Sequence, residues 1–201
     1  MNGRIIALAS CLAVASLSGC ALTTEQIGIG YTRQANVSPI AGADAVSVSV
    51  QVTDQRLEKS KVSSKKNGFG MEMAPITAAE DVAATVRKAM EEELRARGFR
   101  LGTDAASVDI AADVTRFYND HKMGFFAGDA VADLNMSVTV KSRRGQQLFS
   151  KQIIAQGQEA NTQLATGNNA RIALERALQN GMKMLFDDPA FIAALLAAPK
   201  P

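Results

Sequence analysis

Two stretches of strict alternation limit this 201-residue chain more than any other feature. In the first, Val108, Ile110, Ala112 and Val114 point one way, and Asp109, Asp113 and Thr115 the other. In the second, Ala130 to Val140, Leu134, Met136, Val138 and Val140 share a side. A period of two is the signature of strands buried on one face only. Between them, Tyr118 to Asp129 is broken by Gly124 and Gly128, so the pair predicts a β-hairpin with a large tip. Ser142–Arg143–Arg144–Gly145 reads as the next turn and Gln147–Gln156 as a third strand. Its register stays open: either Leu148 and Ile154 or Phe149 and Ile153 point inward.

A half-buried sheet needs a second layer, and the sequence supplies one-faced helices. Val82, Val86, Met90 and Leu94 recur every four residues, with Thr77–Ala78–Ala79–Glu80 ahead of them at capping-box spacing. Glu91, Glu92 and Glu93 are expected mostly outside, and Gly98 as the left-handed stop. A second helix, capped by Asn168 or Asn169 and running to about Phe186, carries Leu174, Leu178 and Met182 on its stripe. Asp188 followed by Pro189 opens a short apolar helix to Ala197. Upstream, Val46, Val48, Val50 and Val52 predict a strand over 45–52. Lys59, Lys61, Lys65 and Lys66, among serines and Asn67, read as a basic loop. Phe69, Met71 and Met73 alternate around Gly70 as a short strand up to Pro75. The expected fold is an α+β two-layer sandwich. One mixed or antiparallel sheet of four to five strands would carry two long helices on one face and a short C-terminal helix.

The N-terminus sets the address. Arg4 precedes an apolar run from Ile5 to Ser16, followed by Leu17–Ser18–Gly19–Cys20. A positive start, a short apolar core and small residues at the cut are the parts of a secretory signal. The run is too short to span a bilayer, which takes about 20 residues. Leu-Ser-Gly-Cys resembles the lipobox of bacterial lipoproteins, and that resemblance implies cleavage between Gly19 and Cys20 and acylation of Cys20. The chain then divides into a signal peptide (1–19), an acylated cysteine with a tether (20–44) and one α+β domain (45–198). Ile27, Ile29 and Tyr31 alternate, so part of the tether is expected to lie against the domain. Ala21 after the cysteine, where aspartate resembles an inner-membrane retention signal, points to the outer membrane, with the domain facing the periplasm.

The inventory of reactive side chains is short. The two cysteines are Cys11, inside the signal, and Cys20, which leaves the domain no thiol for a disulfide, a metal or catalysis. The one histidine, His121, is read as a solvated loop residue. It cannot build a histidine metal site, and no G-x-S-x-G marks a serine nucleophile beside it. No glycine-rich turn continues into Lys-Ser or Lys-Thr, so no phosphate loop is present. A net charge of +2 gives no argument for nucleic acid. We therefore expect no cofactor, no metal and no catalytic residue.

Asp54–Gln55–Arg56 closes the first strand, and Glu93–Leu94–Arg95–Ala96–Arg97–Gly98–Phe99 with Gly102 follows the first helix. In this the chain resembles the YajG family of bacterial lipoproteins, over roughly 37–196. The resemblance implies an envelope lipoprotein with an α+β domain and no catalytic residues. On their own chemistry, Asp54 and Arg56 are expected to close a turn and pair with neighbours. The expected function is a membrane-anchored, non-catalytic interaction module for an envelope protein complex, with Met123, Phe125 and Phe126 at the hairpin tip as the contact. The alternative is a binder of anionic lipid, lipopolysaccharide or peptidoglycan fragments through Lys59, Lys61, Lys65, Lys66, Arg143 and Arg144.

Overall fold

The computed structural model describes residues 22–102, 106–122, 124 and 127–197. Its elements in chain order are strand β1 (Glu25–Ile27), a 3-10 turn (Ala43–Ala45), β2 (Ser47–Asp54), β3 (Lys61–Lys66) and β4 (Glu72–Ala78). Helix α1 (Val82–Ala96) and the short β5 (Arg100–Leu101) come next. Then follow β6 (Val108–Lys122), β7 (Gly128–Ser142), β8 (Gln147–Thr162), α2 (Gly167–Phe186) and α3 (Pro189–Leu196). The main sheet has the order β5-β2-β6-β7-β8, parallel at β5-β2-β6 and antiparallel at β6-β7-β8. It is the expected mixed sheet with helices on its apolar face, so the fold is the expected two-layer α+β sandwich. A second sheet, β1-β4-β3, was not anticipated.

The core forms where the alternation said it would. Val108, Ile110, Ala112 and Val114 are buried with Leu134, Met136, Val138 and Val140 against Val86, Met90, Leu94, Leu174, Leu178 and Met182. Ile153 is buried and Ile154 exposed, which settles the register of β8. Phe149 accordingly meets Phe191 of α3, ring centroids 5.5 Å apart, and Phe191 meets Phe186 at 5.3 Å. Gly157 brings α2 onto the sheet. A Cβ at this position would stand 2.2 Å from the Ala173 carbonyl oxygen and 2.3 Å from the Ala177 nitrogen. The outer edge of β8 is also partly covered by α2. Asn180 donates to the Gln156 carbonyl at 2.7 Å, and Arg176 to the Gln158 carbonyl.

The central hairpin is longer than the sequence suggested, and a bulge explains why. The β6–β7 register shifts between Val114 and Arg116. One extra residue switches the buried set from even to odd positions, so Phe117, Asn119 and His121 continue the core face. Tyr118 to Lys122 therefore belong to β6 rather than to a loop.

β2 accompanies β6 only as far as Val114. Beyond that point β3 lies beside β6, joined by side chains. Asn119 donates to Ser63 Oγ at 2.9 Å, and Lys66 to Asp120 Oδ1 at 2.5 Å. Arg56 sits at the fork. Its guanidinium donates to both Asp54 carboxylate oxygens (2.9 and 2.7 Å), to the Phe117 carbonyl (3.0 Å), to the Lys61 carbonyl (3.2 Å) and to the Lys59 carbonyl. The fork leaves backbone carbonyls without a ladder, and one buried cation satisfies three of them. The expected turn-closing role of Asp54 and Arg56 is thus realised.

Four local expectations fail. Lys61–Lys66 is a strand, because its charges find carboxylates on other elements. α1 begins at Val82 under Asp81, whose side chain accepts from the Ala84 nitrogen at 3.0 Å; Thr77 and Ala78 are spent in β4. Burial in β4 falls on Ala74 and Ile76, and Met71 and Met73 are exposed. α2 is capped by Thr166, two residues before Asn168 and three before Asn169, with its hydroxyl accepting from the Asn169 nitrogen at 3.3 Å. Asp188 caps α3 as expected, accepting from Ala190 at 2.8 Å.

Candidate functional site

The first segment of the domain is docked. β1 pairs in parallel with β4, Glu25 opposite Ile76, and Ile29, Tyr31 and Ile40 pack on the core. The dock ends in a buried charge network. Tyr31 donates to Glu93 Oε1 at 2.6 Å and the Gln34 nitrogen to the same oxygen at 2.8 Å. Arg97 bonds the other oxygen and stacks over Phe186, 4.6 Å from its ring centroid. Glu93 is 0% exposed, contrary to the expectation that Glu91–Glu93 lie outside. Burial and the bond to Glu93 push the Tyr31 phenol well above its ordinary range. Glu93 and Arg97 lie four apart on one helix, a spacing that could have flagged an ion pair; its burial had no sequence signal.

The expected anion-contact residues are not brought together. Lys61 pairs with Glu72 at 2.9 Å and lies 3.8 Å from Glu58. Lys65 lies 3.3 Å from Glu25, and Lys66 2.5 Å from Asp120. The bond to Glu72 raises the Lys61 ammonium's pKa, and the same bond lowers that of the Glu72 carboxyl. Lys59 is exposed in the bend ahead of β3. Arg143 and Arg144 occupy the β7–β8 turn beside Ser107, whose carbonyl accepts from the Arg143 nitrogen at 3.1 Å. The length of β6, roughly 45 Å at about 3.3 Å per residue, separates that turn from Lys66. Gly19, Cys20, Met123, Phe125 and Phe126 lie outside the described residues.

The end of the domain to which Lys66 belongs collects exposed apolar side chains. Asn67 shapes the β3–β4 turn. Its side chain accepts from the nitrogens of Phe69 and Met71, both at 3.0 Å, and Gly70 takes φ +79°. An ordered turn thereby holds Phe69 90% exposed. Met71, Met73, Leu22 and Leu164 are also exposed. Among the described residues, no cluster of three or more His, Cys, Asp or Glu could hold a metal, and no helix is long and apolar enough to cross a membrane. A groove of about 520 Å³ between the docked segment and α1 is lined by Ile29, Tyr31, Thr85, Lys88, Glu92 and Glu175 among others. Glu175 there accepts from the Gly30 nitrogen at 3.0 Å.

His121 is the clearest departure from the sequence reading. It is 3% exposed, and among the described residues neither ring nitrogen has a hydrogen-bond partner. Burial, with the Lys66 cation beside it, holds its pKa down at about 4; Asp120 opposes this weakly. An unfolded histidine titrates near 6.5. Below about 6.5 the unfolded chain takes up a proton that the fold refuses, so stability is complete above that value and declines towards pH 4. We expect a loss on the order of 2–3 kcal/mol over that window. Urea unfolding of His121→Leu should show a visibly flatter profile between pH 7 and 4; equal slopes for both proteins would remove His121 as the cause.

Comparison with known proteins adds a family and a fold. A family model described as uncharacterized lipoprotein matches residues 34–196. Among solved structures, a protein from Xanthomonas campestris is similar over 82% of this chain and 92% of its own. It has 12% identity and a TM-score of 0.57, a likeness of fold. A hypothetical protein from Chlamydia trachomatis matches at 10% identity, over 76% of this chain and 96% of its own, with a TM-score of 0.47. No curated protein matches.

Proposed function

This chain belongs to that family of uncharacterized lipoproteins, and from that premise we propose that it is an acylated accessory module of the bacterial cell envelope. Residues 1–19 are the signal peptide, Cys20 carries the lipid, and the domain faces the periplasm from the outer membrane. Leu17–Ser18–Gly19–Cys20, immediately ahead of a domain whose first strand docks at Glu25, carries the reading. Within the family, Asp54–Gln55–Arg56 and the Glu93–Phe99 stretch support kinship with the YajG lipoproteins. β1 at Glu25–Ile27 is paired with β4 and lies within the stretch 20–44 expected as the tether.

The module works by contact rather than by catalysis. The ion pairs here are structural: Asp54 with Arg56 closes the turn after β2, Lys61 with Glu72 joins β3 to β4, and Lys151 with Asp188 joins β8 to the cap of α3. The commitment of Lys61, Lys65 and Lys66 to carboxylates favours a protein partner over the alternative, an anionic lipid, lipopolysaccharide or peptidoglycan ligand. Met123, Phe125 and Phe126 remain the proposed partner contact, and Lys59, Arg143 and Arg144 the proposed anion contacts in the alternative.

In cells, Cys20→Ser should yield a chain that keeps its signal, lacks the acyl mass and shows no lipid label. The wild-type protein should label with an alkyne fatty acid and fractionate with outer membrane. Equal labelling of the two proteins would end the anchor reading. A photoreactive residue at Phe125 should give a discrete protein adduct; adducts only to lipid or glycan would favour the alternative.

A further inference from the structure

Among the described residues, five of the nine exposed large apolar side chains, Leu22, Phe69, Met71, Met73 and Leu164, lie at one end of the molecule. Leu57, Ile154, Met184 and Leu196 lie elsewhere, and the chain arrives from the end with the five. β1 is parallel to β4, so residues 22–24 approach it from the side on which β3 turns into β4. Ser63 meets Asn119 and Lys66 meets Asp120, so β3 and β6 run the same way and the β3–β4 turn lies at the end of β6. β8 also finishes there, Thr162 opposite Gly128. Glu25 ties the cluster together, 3.3 Å from both the Lys65 ammonium and the Gly167 nitrogen. Leu22, Phe69, Met71, Met73 and Leu164 thus share an end, whereas the β7–β8 turn at the opposite end carries Arg143 and Arg144.

Cys20 stands five residues before Glu25. Fully extended, five residues reach roughly 17 Å. An acyl anchor at Cys20, on which this inference rests, keeps Glu25 within that distance of the lipid surface but does not by itself fix how the domain is turned. The end it brings nearest the bilayer is the one bearing an ordered, solvent-exposed phenylalanine. Single exposed apolar residues need no explanation, but a cluster next to an anchor does. Aromatic and long apolar side chains partition into the boundary between headgroups and acyl chains.

We propose that this end of the domain is seated on the lipid surface, with Phe69 and Met71 of the β3–β4 turn entering the headgroup–acyl boundary. The acyl chains supply attachment, and the turn sets orientation, directing the Arg143–Arg144 end into the periplasm.

The test uses the full acylated protein in vesicles of phosphatidylethanolamine and phosphatidylglycerol. Gly68→Cys, with a polarity-sensitive fluorophore, reports on the turn while keeping Phe69 and Met71; Arg144→Cys reports on the far end. A lipid-borne nitroxide should quench the probe at 68 at least threefold more than the probe at 144. Adding Phe69→Ser with Met71→Ser should abolish the difference while flotation persists. Flotation with equal quenching at both sites would overturn the proposal and leave the anchor intact. Failure to float would overturn the anchor, and the proposal with it. A discrete protein adduct instead of lipid adducts, from a photoreactive residue replacing Phe69 in cells, would reassign the turn to a protein interface.

Discussion

Glu93→Ala should cost about 3–5 kcal/mol of unfolding free energy, the range for removing one partner of a buried ion pair. For a domain of this size that lowers Tm by roughly 10 °C. Arg97 would keep its charge among Phe186 and the end of α1, with no anion to answer it. The Tyr31 hydroxyl and the Gln34 nitrogen would lose their acceptor too. Most of the cost is the unpaired cation, so Glu93→Leu combined with Arg97→Met should recover much of the loss. The double variant would still fail to hold residues 31–34, and limited proteolysis should cut there first. Urea unfolding of Glu93→Leu, of Arg97→Met and of their double closes the cycle. A Glu93→Ala chain within 1 kcal/mol of wild type would mean that the network contributes nothing beyond its geometry.

Gly157→Val should be at least as damaging, through sterics alone. The position faces backbone atoms of α2 at little more than 2 Å from a built Cβ, and backbone cannot rotate away as a side chain can. Overpacking a core costs typically about 1–3 kcal/mol when side chains absorb it; here a 20-residue helix must lift off the sheet. We expect a loss above about 3 kcal/mol, or a chain that does not accumulate. Gly145→Ala, at a turn glycine with open space around it and φ +81°, should lose only about 1 kcal/mol, the order of a left-handed backbone strain. If thermal melts placed both variants together, close packing at Gly157 would not be the reason for its glycine.

The contrast between these sites shows what a sequence can carry. Alternation announced β6 and β7 because one face meets apolar partners and the other water, so the pattern and its cause coincide at each residue. The bulge at Val114–Arg116 broke that pattern's phase, and His121 fell into an apparent loop although it continues the core face. β3 was hidden for a different reason. Three lysines in six residues describe a strand only once Glu25, Glu72 and Asp120 are brought beside them, and those lie 40, 11 and 54 positions from their partners. Glu93 was lost in a run of three glutamates of which one alone turns inward. The exposed Phe69 turn was legible as composition but not as place. Its meaning depends on β1 running parallel to β4, which no local pattern encodes.

The covered edge of β8 has a consequence for life in two dimensions. A lipid anchor gathers copies of a protein into one plane and holds them there, where an unpaired strand 16 residues long would invite a neighbour to extend the sheet. Asn180 and Arg176 already occupy the carbonyls of Gln156 and Gln158 on that edge. A second copy drifting alongside finds two of its acceptor positions taken and a charged guanidinium in the way. The helix that completes the core thus also occupies part of the edge that a neighbouring copy would otherwise extend.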